Sequence, residues 1–505
     1  MSIRYPGQLY GGLDQAQIPD SHLGYGDEVK LSDPMPLSFS EEWLREAPPR
    51  SPGWWVKRLL AQLDGRMEKM LLWDAYYEGD QPLAFASEKF REAFGGRFRA
   101  FSSNFCSLVV DGTRERMEVT GFQLQRKRST AKAWSIWQEN SMDAASLIAH
   151  TEALIKSEAN VLVEPQPLDG TPRITVEDPL DSIVAGDPQD PRQRRAALKR
   201  LVDDDGHLVV YLYMPDTVWK LRSQQPWRPS AGGQLVLEPA SDVDFPQTNR
   251  LGVVPMVSLI NRPRLKAMGQ SEIKPVLSNQ DAVNKYRADA LVAAEFAAFR
   301  QRWGTGIEIP EDPQTGLPIE PFKAAVDRLW LVPPPDPEDP NPPEPRFGEF
   351  SATDLTPYQT MIESEIGAIS SISRLPYHYL LGQPSAVPPS GESLKSSEAG
   401  LIKKVRTQMT HFGEGWEEVM RLCLKAIQDP GADDLTSSTQ WRDPETRNEQ
   451  AHADSTTKLY GSGIITRDES RMEMGYQPDG LPDRQQAGAQ ETPAHAGEEM
   501  PADAG

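Results

Sequence analysis

Apolar residues recur at helical spacing along several stretches of the chain. The stripes cover residues 54–77, 131–156, 354–373 and 392 to Pro430, and each one stops at a turn or proline signal. Another helix is predicted over 276–303, where an alanine-rich second half permits close approach of a neighbouring helix. Two shorter helices are predicted at 444–459 and 466–474.

Between residues 160 and 260 the pattern changes to short β-prone runs separated by turns. These runs are ANVLVE, RITVE, RRAALKRLVDDDGHLVVYLYM, TVWKLR, GQLVLE and GVVPMVSLI. The Asp203–Gly206 stretch could suggest a calcium loop, but that register puts Leu201 and Leu212 where acidic ligands are required. We interpret it as a hairpin turn, and the chain as an α+β protein with an antiparallel β-rich region.

Four segments show neither the helical spacing nor the short β-prone runs described above. Residues 304–350 are proline-dense and predict a compact insertion with a stiff extended loop, LWLVPPPDPEDPNPPEPRF. Residues 374–391 carry four prolines and two glycines between two strong helices and predict a loop. Residues 1–50 are interpreted as an arm that needs a partner to order, and 476–505 as a disordered acidic tail.

Charge, cysteine content and the lack of long apolar runs limit the classes of function that this chain could have. The 505 residues contain 53 Lys and Arg against 74 Asp and Glu, a formal charge of −21. This balance argues against a protein that wraps nucleic acid by neutralising phosphates, although DNA could still slide past such a surface. Cys106 and Cys423 are too few for a disulfide framework and are interpreted as buried, inert thiols of a protein in a reducing cytoplasm. No signal or membrane-spanning run is found, so no membrane is expected.

A search for catalytic chemistry finds no convincing site. There is no phosphate-binding loop, and the seven histidines never fall at metal-pair spacing, so we predict no cofactor, no metal and no enzyme activity. Ser462, between Gly461 and Gly463, is interpreted as part of a turn between helices. Lys403, Lys404 and Arg406 could contact a phosphate, but a solvated helix face is the favoured interpretation.

Six stretches of the chain, taken in order, form a recognisable set. They are YYEGDQPLAF (76–85), SLVVDGTRERMEVTGF (107–122), LPYHYLLGQ (375–383), PPSGESLKSSEAGLIKK (388–404), FGEGWEEVMRLCLK (412–425) and KLYGSGIITRDESRMEMGY (458–476). These stretches resemble the portal proteins of tailed double-stranded DNA phages of the siphovirus type. Together they span about four fifths of the chain, although Val387 and the proline-dense 333–346 depart from the family pattern.

The resemblance implies the phage portal fold and a ring, usually a dodecamer, at one capsid vertex, with DNA passing through its channel during packaging and ejection. The implied parts after the N-terminal arm (1–50) are a β-rich wing (51–275), a stem helix (276–303), a clip (304–350), a second stem helix (351–373), a tunnel loop (374–391), and a long wing helix with crown (392–475).

The resemblance also implies sites and partners. The partners would be other copies of the chain, double-stranded DNA, the large terminase subunit, a head-completion adaptor, and the major capsid and scaffold proteins. The protein would be a virion component assembled in the host cytoplasm. Candidate DNA contacts are Leu375, Tyr377, His378, Tyr379, Gln383 and Ser385, and candidate motor or adaptor contacts are Pro333, Pro335, Asp336, Pro342 and Pro345.

Two other functions remain open from the sequence. The first is a minor head protein that binds the capsid without forming a channel, and ring formation would distinguish it from a portal. The second is a hydrolase that uses a pair of its 74 acidic residues, although no constellation marks which of them would be catalytic.

Overall fold

The computed structural model describes residues 37–81, 103–165, 171–190, 192–226, 235–240, 245–265, 269–298, 302–305, 346–349, 354–381, 391–445 and 449–474. The chain divides into two compact units, residues 1–443 and 444–505.

The first unit combines helices with strands that are mostly antiparallel. Its helices are α1 (Glu42–Arg45), α2 (Pro52–Glu78), α3 (Phe105–Arg114), α4 (Lys127–Glu139), α5 (Met142–Lys156), α6 (Leu277–Ala298), α7 (Thr356–Ser373), α8 (Tyr377–Leu381) and α9 (Gly391–Ala426). Short 3-10 turns lie at Lys274–Val276 and Pro430–Asp433.

The strands form one large sheet and three small ones. The large sheet has the order β1-β9-β8-β7-β6-β5, with β10 pairing β8, and the small ones are β11-β3-β4, β12-β13 and β14-β2. The strands are β1 (Leu37–Phe39), β2 (Val119–Gln123), β3 (Glu158–Pro165), β4 (Pro172–Glu177), β5 (Ser182–Gly186), β6 (Arg194–Val202), β7 (His207–Tyr213), β8 (Thr217–Pro226), β9 (Leu235–Pro239), β10 (Gln247–Thr248), β11 (Met256–Ile260), β12 (Arg302–Thr305), β13 (Arg346–Glu349) and β14 (Ser438–Trp441).

The β-rich region between 160 and 260 is confirmed, and so is its hairpin turn. Strands β6 and β7 pair antiparallel on either side of Asp203–Gly206. Gly206 takes φ 84°, a left-handed conformation that glycine adopts readily, and the Asp203 carboxylate accepts a hydrogen bond from the backbone N–H of His207 at 2.8 Å. The acidic run therefore closes the turn between two paired strands.

The prediction of an arm over residues 1–50 is wrong for its last part. Residues 37–39 add a parallel edge strand to β9, and α1 follows at Glu42–Arg45. Phe39 packs against the hydrophobic core between α2 and the large sheet, so the chain itself supplies the apolar surface that orders this segment. Residues 1–36 lie outside the described residues.

Helix α2 lies against the large sheet, and α9 runs through a second hydrophobic core. Along α2, Leu59 and Leu63 are fully buried against strand residues that include Leu198 and Leu212. In the second core Trp137 and Trp416 meet edge to face, with ring centroids 5.1 Å apart. The two cysteines are buried, and this burial raises the pKa of both thiols, as expected for inert side chains.

Two predicted helices have different limits in the structure. The helix predicted over 131–156 is two helices, α4 and α5, because Ser141 takes a left-handed conformation (φ 54°) between them. The helix predicted over 276–303 is α6, and Arg302 and Trp303 instead belong to β12.

Strand β12 pairs antiparallel with β13, so the ends of the proline-dense insertion are held together. Pro333, Pro335, Asp336, Pro342 and Pro345 lie outside the described residues.

The second unit confirms the two short helices predicted near the C-terminus. They are α10 (Glu449–Gly461) and α11 (Arg467–Glu473). Ser462 lies in the turn between them, where Gly463 takes φ 72°. The predicted tail at 476–505 is outside the described residues.

Candidate functional site

The segment between α7 and α9 is the candidate site, and it is more ordered than predicted. Residues 374–391 were predicted to be a loop, but Tyr377–Leu381 form the short helix α8. It follows Pro376, whose carbonyl accepts a hydrogen bond from the backbone N–H of Tyr379 at 2.9 Å. A proline restricts the backbone but does not prevent a helix from starting directly after it. The prediction of a loop is therefore wrong for residues 377–381. Gln383 and Ser385 lie in residues 382–390, which are not among the described residues.

Leu375 fixes the start of this segment to the body of the first unit. Its side chain is buried, and a Cβ placed on Gly112 of α3 would lie only 2.7 Å from the Leu375 Cδ1 atom. A side chain at 112 would therefore displace the end of the Leu375 side chain. The carbonyl of Leu375 also accepts a hydrogen bond from the Ser370 hydroxyl at 2.7 Å. Leu375 is placed in the core in this conformation, not at a surface.

Tyr379 forms a second attachment, in which its hydroxyl bridges two charged groups. The Arg116 guanidinium donates to that hydroxyl at 2.6 Å, and the hydroxyl donates to the Glu398 carboxylate at 2.7 Å. Arg116 and Glu398 are themselves 3.2 Å apart. Burial, followed by the hydrogen bond to Glu398, raises the pKa of Tyr379. Helix α8 is thereby joined to the chain after α3 and to the first turns of α9.

The remaining predicted residues of α8 lie nearer to solvent. The Tyr377 side chain is 38% exposed, and the neighbouring Leu381 is 41% exposed. His378 is half-buried, and its ring meets that of Tyr379 edge to face with centroids 4.7 Å apart. Of the predicted contacts in the described segment, Tyr377 and His378 are therefore available to a ligand, whereas Leu375 and Tyr379 hold the segment in place.

A buried ion pair that the sequence prediction missed lies beneath the C-terminal end of α7. The Lys404 ammonium is 2.9 Å from the Glu272 carboxylate, and the two side chains are 4% and 0% exposed. Lys404 also donates to the carbonyl of Ser373, the last residue of α7, at 3.1 Å. The solvated face predicted for Lys403, Lys404 and Arg406 is therefore wrong for Lys404. The sequence carried one signal of this burial: Lys404 lies three residues after Leu401, within the apolar stripe of the helix.

Three further groups contact the Glu272 carboxylate, and one of them is the Asn261 amide, which donates to it at 3.1 Å. The Arg262 guanidinium lies 2.7 Å from it, and the Gln408 amide donates to it at 2.7 Å. Burial alone would raise the pKa of Glu272, but the charges of Lys404 and Arg262 outweigh that effect and hold the pKa below its usual value. The carboxylate is thus ionised, and through Lys404 it joins α9 and the end of α7 to the segment before α6.

Polar side chains of α6 attach that helix to the body of the unit. The Gln280 amide oxygen accepts from the backbone N–H of Phe105 at 2.8 Å, and Asp281 accepts from the Tyr76 hydroxyl at 2.7 Å. Asn279 donates to Glu365 of α7 at 2.8 Å, which ties the two long helices to each other. The pair α6 and α7 is therefore held by hydrogen bonds as well as by apolar packing.

We expect the Asp281→Asn variant to be more thermostable than the wild type near neutral pH. Burial raises the pKa of Asp281 to about 6, above its usual 3.8, and the hydrogen bond from Tyr76 only partly opposes that shift. The contribution of this carboxyl to stability is therefore full below about pH 4 and is lost as the pH rises through about 6. The gain should be on the order of 2 kcal/mol at about pH 7.5 and should vanish near pH 4.

Thermal unfolding at both pH values measures this effect. Asp204→Asn, in the exposed hairpin turn, is the matched control and should change the melting temperature little at either pH. A lower melting temperature for Asp281→Asn at neutral pH would show that the ionised carboxylate is needed there.

Neither a metal-binding cluster nor a membrane-spanning helix is found in the described part of the chain. No group of three or more His, Cys, Asp or Glu side chains there could hold a metal ion. His150 is fully buried and accepts a hydrogen bond from the Trp416 indole at 2.9 Å, and burial lowers its pKa to about 3. Within the same residues, no helix combines the length and the apolar character that a membrane span requires.

Comparison with known proteins assigns the family. The sequence profile of the family described as phage portal protein, SPP1 Gp6-like, matches residues 56–474. The portal protein of Mycobacterium phage D29 is 32% identical over 389 residues, which cover 73% of this chain and 75% of the relative. The portal protein of Mycobacterium phage L5 matches with the same identity and coverage.

Solved structures that match the chain at low similarity include those of the neck of a gene transfer agent particle. One comes from the neck of the empty particle computed with C6 symmetry, with a TM-score of 0.42, 12% identity, and coverage of 77% of this chain and 93% of that one. Another comes from the neck of the native particle computed with C12 symmetry, with a TM-score of 0.40, 13% identity and coverage of 77% and 92%. The family assignment rests on the sequence matches, which also set aside the hydrolase alternative: the chain belongs to the SPP1 Gp6-like family of phage portal proteins, structural components of the virion at the connection between head and tail.

Proposed function

We propose that the chain forms a closed homo-dodecameric ring at one capsid vertex, and that double-stranded DNA passes through the ring during packaging and ejection. The family match over residues 56–474 is the observation that carries this proposal. In the ring, residues 51–275 form the wing, α6 and α7 the stem, and 392–475 the long wing helix and crown. The ring assembles in the host cytoplasm with the major capsid and scaffold proteins.

The charge of the chain suits a channel that lets DNA move. A formal charge of −21 on each subunit amounts to about 250 negative charges on twelve copies, so the assembly as a whole repels DNA. Strong phosphate binding along the wall would instead slow translocation. Contact with DNA is accordingly transient and independent of sequence.

Within the channel, we assign the DNA-facing role to residues 382–390 together with Tyr377 and His378. The attachments at Leu375 and Tyr379 support this, because they give the segment a fixed base close to the start of α9. Gln383 and Ser385 offer neutral polar groups that bind only weakly. In this assignment Leu375 and Tyr379 position the loop and do not touch DNA.

The insertion at 304–350 is the proposed clip, which binds the large terminase subunit during packaging and the head-completion adaptor afterwards. The pairing of β12 with β13 supports an insertion that projects from one base. A stiff proline-rich segment can bind with little loss of conformational entropy. Alanine at Pro333, Pro335, Asp336, Pro342 and Pro345 should weaken binding of both partners in a pull-down assay, and unchanged binding would refute this role.

Native mass by light scattering, with negative-stain electron microscopy of the same sample, tests the ring. We expect a closed ring of about twelve subunits with a central hole. A chain that stays monomeric at every concentration, and also when expressed together with the capsid and scaffold proteins, would favour the minor head protein that binds capsid without a channel.

A further inference from the structure

The first unit contains two large hydrophobic cores, each built on one sheet. The first lies between α2 and the large sheet and includes Leu63, Leu198 and Leu212. The second surrounds α9 and takes in Val161 and Val163 of β3, in the small sheet β11-β3-β4. We call residues 52–64 with the large sheet the sheet lobe, and the small sheet with the helices of the second core the helical body.

The two sheets meet through a much smaller apolar contact. Side chains alternate between the faces of a strand, so Ala197 of β6 and Tyr213 of β7 point away from the first core. They meet Leu162 of β3 and Met256 of β11. In the described part of the chain, only these four and Val254 are buried in that contact. So small an apolar area holds the lobe to the body only weakly.

Polar contacts also join the sheet lobe to the helical body. The Tyr213 hydroxyl donates to Glu164 of β3 at 3.0 Å, and Lys199 of β6 lies 2.7 Å from Glu177 of β4. A mixed interface of this kind is typical of parts of a chain that move relative to each other.

Helix α2 runs through both parts and changes its packing partner near its middle. Leu63 is its last residue in the core of the sheet lobe, and Leu72 is the first that packs against the core of the helical body. Gly65 lies between these two residues, well inside the helix. The boundary between the two parts therefore crosses α2 close to Gly65.

The residues on either side of Gly65 contact different parts. Asp64 lies 2.9 Å from Arg200 of β6, in the sheet lobe. Arg66 lies 2.5 Å from Glu158 of β3, in the helical body. A bend at Gly65 can therefore separate the lobe from the body without breaking either of these two ion pairs.

The other link between the sheets passes the same point. The turn between β4 and β5 carries the chain from the small sheet into the large one, and Arg66 donates to the carbonyls of Pro179 and Ser182 there. Arg66 therefore holds the turn and the middle of α2 together, so that both crossings can act as one hinge.

Gly65 has no packing reason to be glycine. It is exposed, its backbone is helical, and a Cβ placed on it would have no atom of the described residues within 4 Å. Glycine inside a helix is destabilising relative to alanine, because it loses more conformational freedom on folding. Ease of bending is the property that glycine adds at this position.

We infer that α2 bends at Gly65 and that the sheet lobe moves there as a unit against the helical body. The movement opens the small apolar contact between the sheets and the polar contacts that accompany it, while both large cores stay intact. One chain then has two arrangements of its surface, and a binding partner can select between them. The inference concerns the folded subunit and does not depend on the proposed ring.

The rate at which a buried thiol reacts with a maleimide tests this movement in the full-length chain. Ala197→Cys places a thiol between the two sheets, where the native side chain is 0% exposed. Cys106 and Cys423, buried in the second core, are internal references. We expect the introduced thiol to react roughly tenfold faster than the references or more, because local opening costs less than global unfolding. Adding Gly65→Ala should slow its reaction about fivefold, because alanine favours the unbent helix.

Gly367→Ala in α7 is the matched control. A Cβ on Gly367 would likewise have no atom of the described residues within 4 Å, but Ile366 and Ile369 beside it both belong to the second core. This control should leave the ratio of the introduced thiol's rate to the reference rates unchanged. Tyr213→Phe, which removes the hydrogen bond to Glu164, should make the introduced thiol react severalfold faster.

Three results would overturn the inference. The introduced thiol could react as slowly as the two native thiols, which would mean that only global unfolding opens the contact. The two glycine variants could have equal effects on its rate, or none, which would exclude a hinge in α2. A changed native mass of the Gly65→Ala chain would show that glycine is needed there for packing against another copy. If Ala197→Cys does not fold, Met256→Cys tests the same contact from β11, where the native side chain is also 0% exposed.

Discussion

The Glu272→Gln variant should unfold with a free energy about 3–5 kcal/mol lower than that of the wild type. The substitution preserves shape but removes the negative charge, so the ammonium of Lys404, 4% exposed, loses its carboxylate partner. A buried charge without a counterion is far more costly than the intact pair is stabilising. Lys404 also donates a hydrogen bond to the end of α7, so the loss of stability should extend to the start of the candidate DNA-facing segment.

Chemical denaturation followed by tryptophan fluorescence measures this loss. The double variant Glu272→Gln with Lys404→Met should recover most of the stability, since the buried ammonium is removed as well and the Arg262 guanidinium, 34% exposed, is left in contact with solvent. Glu363→Gln, on the exposed face of α7, is the control and should stay within about 0.5 kcal/mol of the wild type. If Glu272→Gln were as stable as its control, the ion pair would not hold the three segments together.

Deleting residues 383–389 should abolish DNA packaging while leaving the ring assembled. The deletion removes the segment proposed to face DNA, including Gln383 and Ser385, but keeps the attachments of Leu375 and Tyr379 and the whole of α9. Packaging would be measured as nuclease-protected DNA per particle, with electron microscopy of the purified ring as the check on assembly. We expect protected DNA to fall to the background level.

Two further variants make this test specific. The control deletion removes seven residues of the tail, 484–490, which lie beyond the part of the chain that matches the family. This deletion should leave packaging unchanged. Gln383→Asp with Ser385→Asp keeps the loop length and adds negative charge, so packaging should fall by repulsion of the phosphates. Normal filling of capsids by the deletion variant would show that this segment has no part in DNA movement.

The sequence by itself determined the order of the elements, because their apolar spacing is a local property. The stripe from Leu394 to Ile427 predicted α9, and Asp203–Gly206 predicted the hairpin between β6 and β7. The order of the quoted stretches also indicated the family that the comparisons then assigned. These signals involve residues close together in the chain, so no tertiary information was needed.

Only the tertiary structure decided how charged and polar residues are used. The place of Lys404 in the apolar stripe hinted at burial, but only the fold shows that its partner is Glu272, 132 positions earlier in the chain. Tyr379 and Leu375 were predicted to face DNA, but Arg116, Glu398 and Gly112 hold them in the body of the first unit. Pairing between distant residues leaves no periodic trace in the sequence, and for that reason only the folded chain reveals which side chains remain available to a partner.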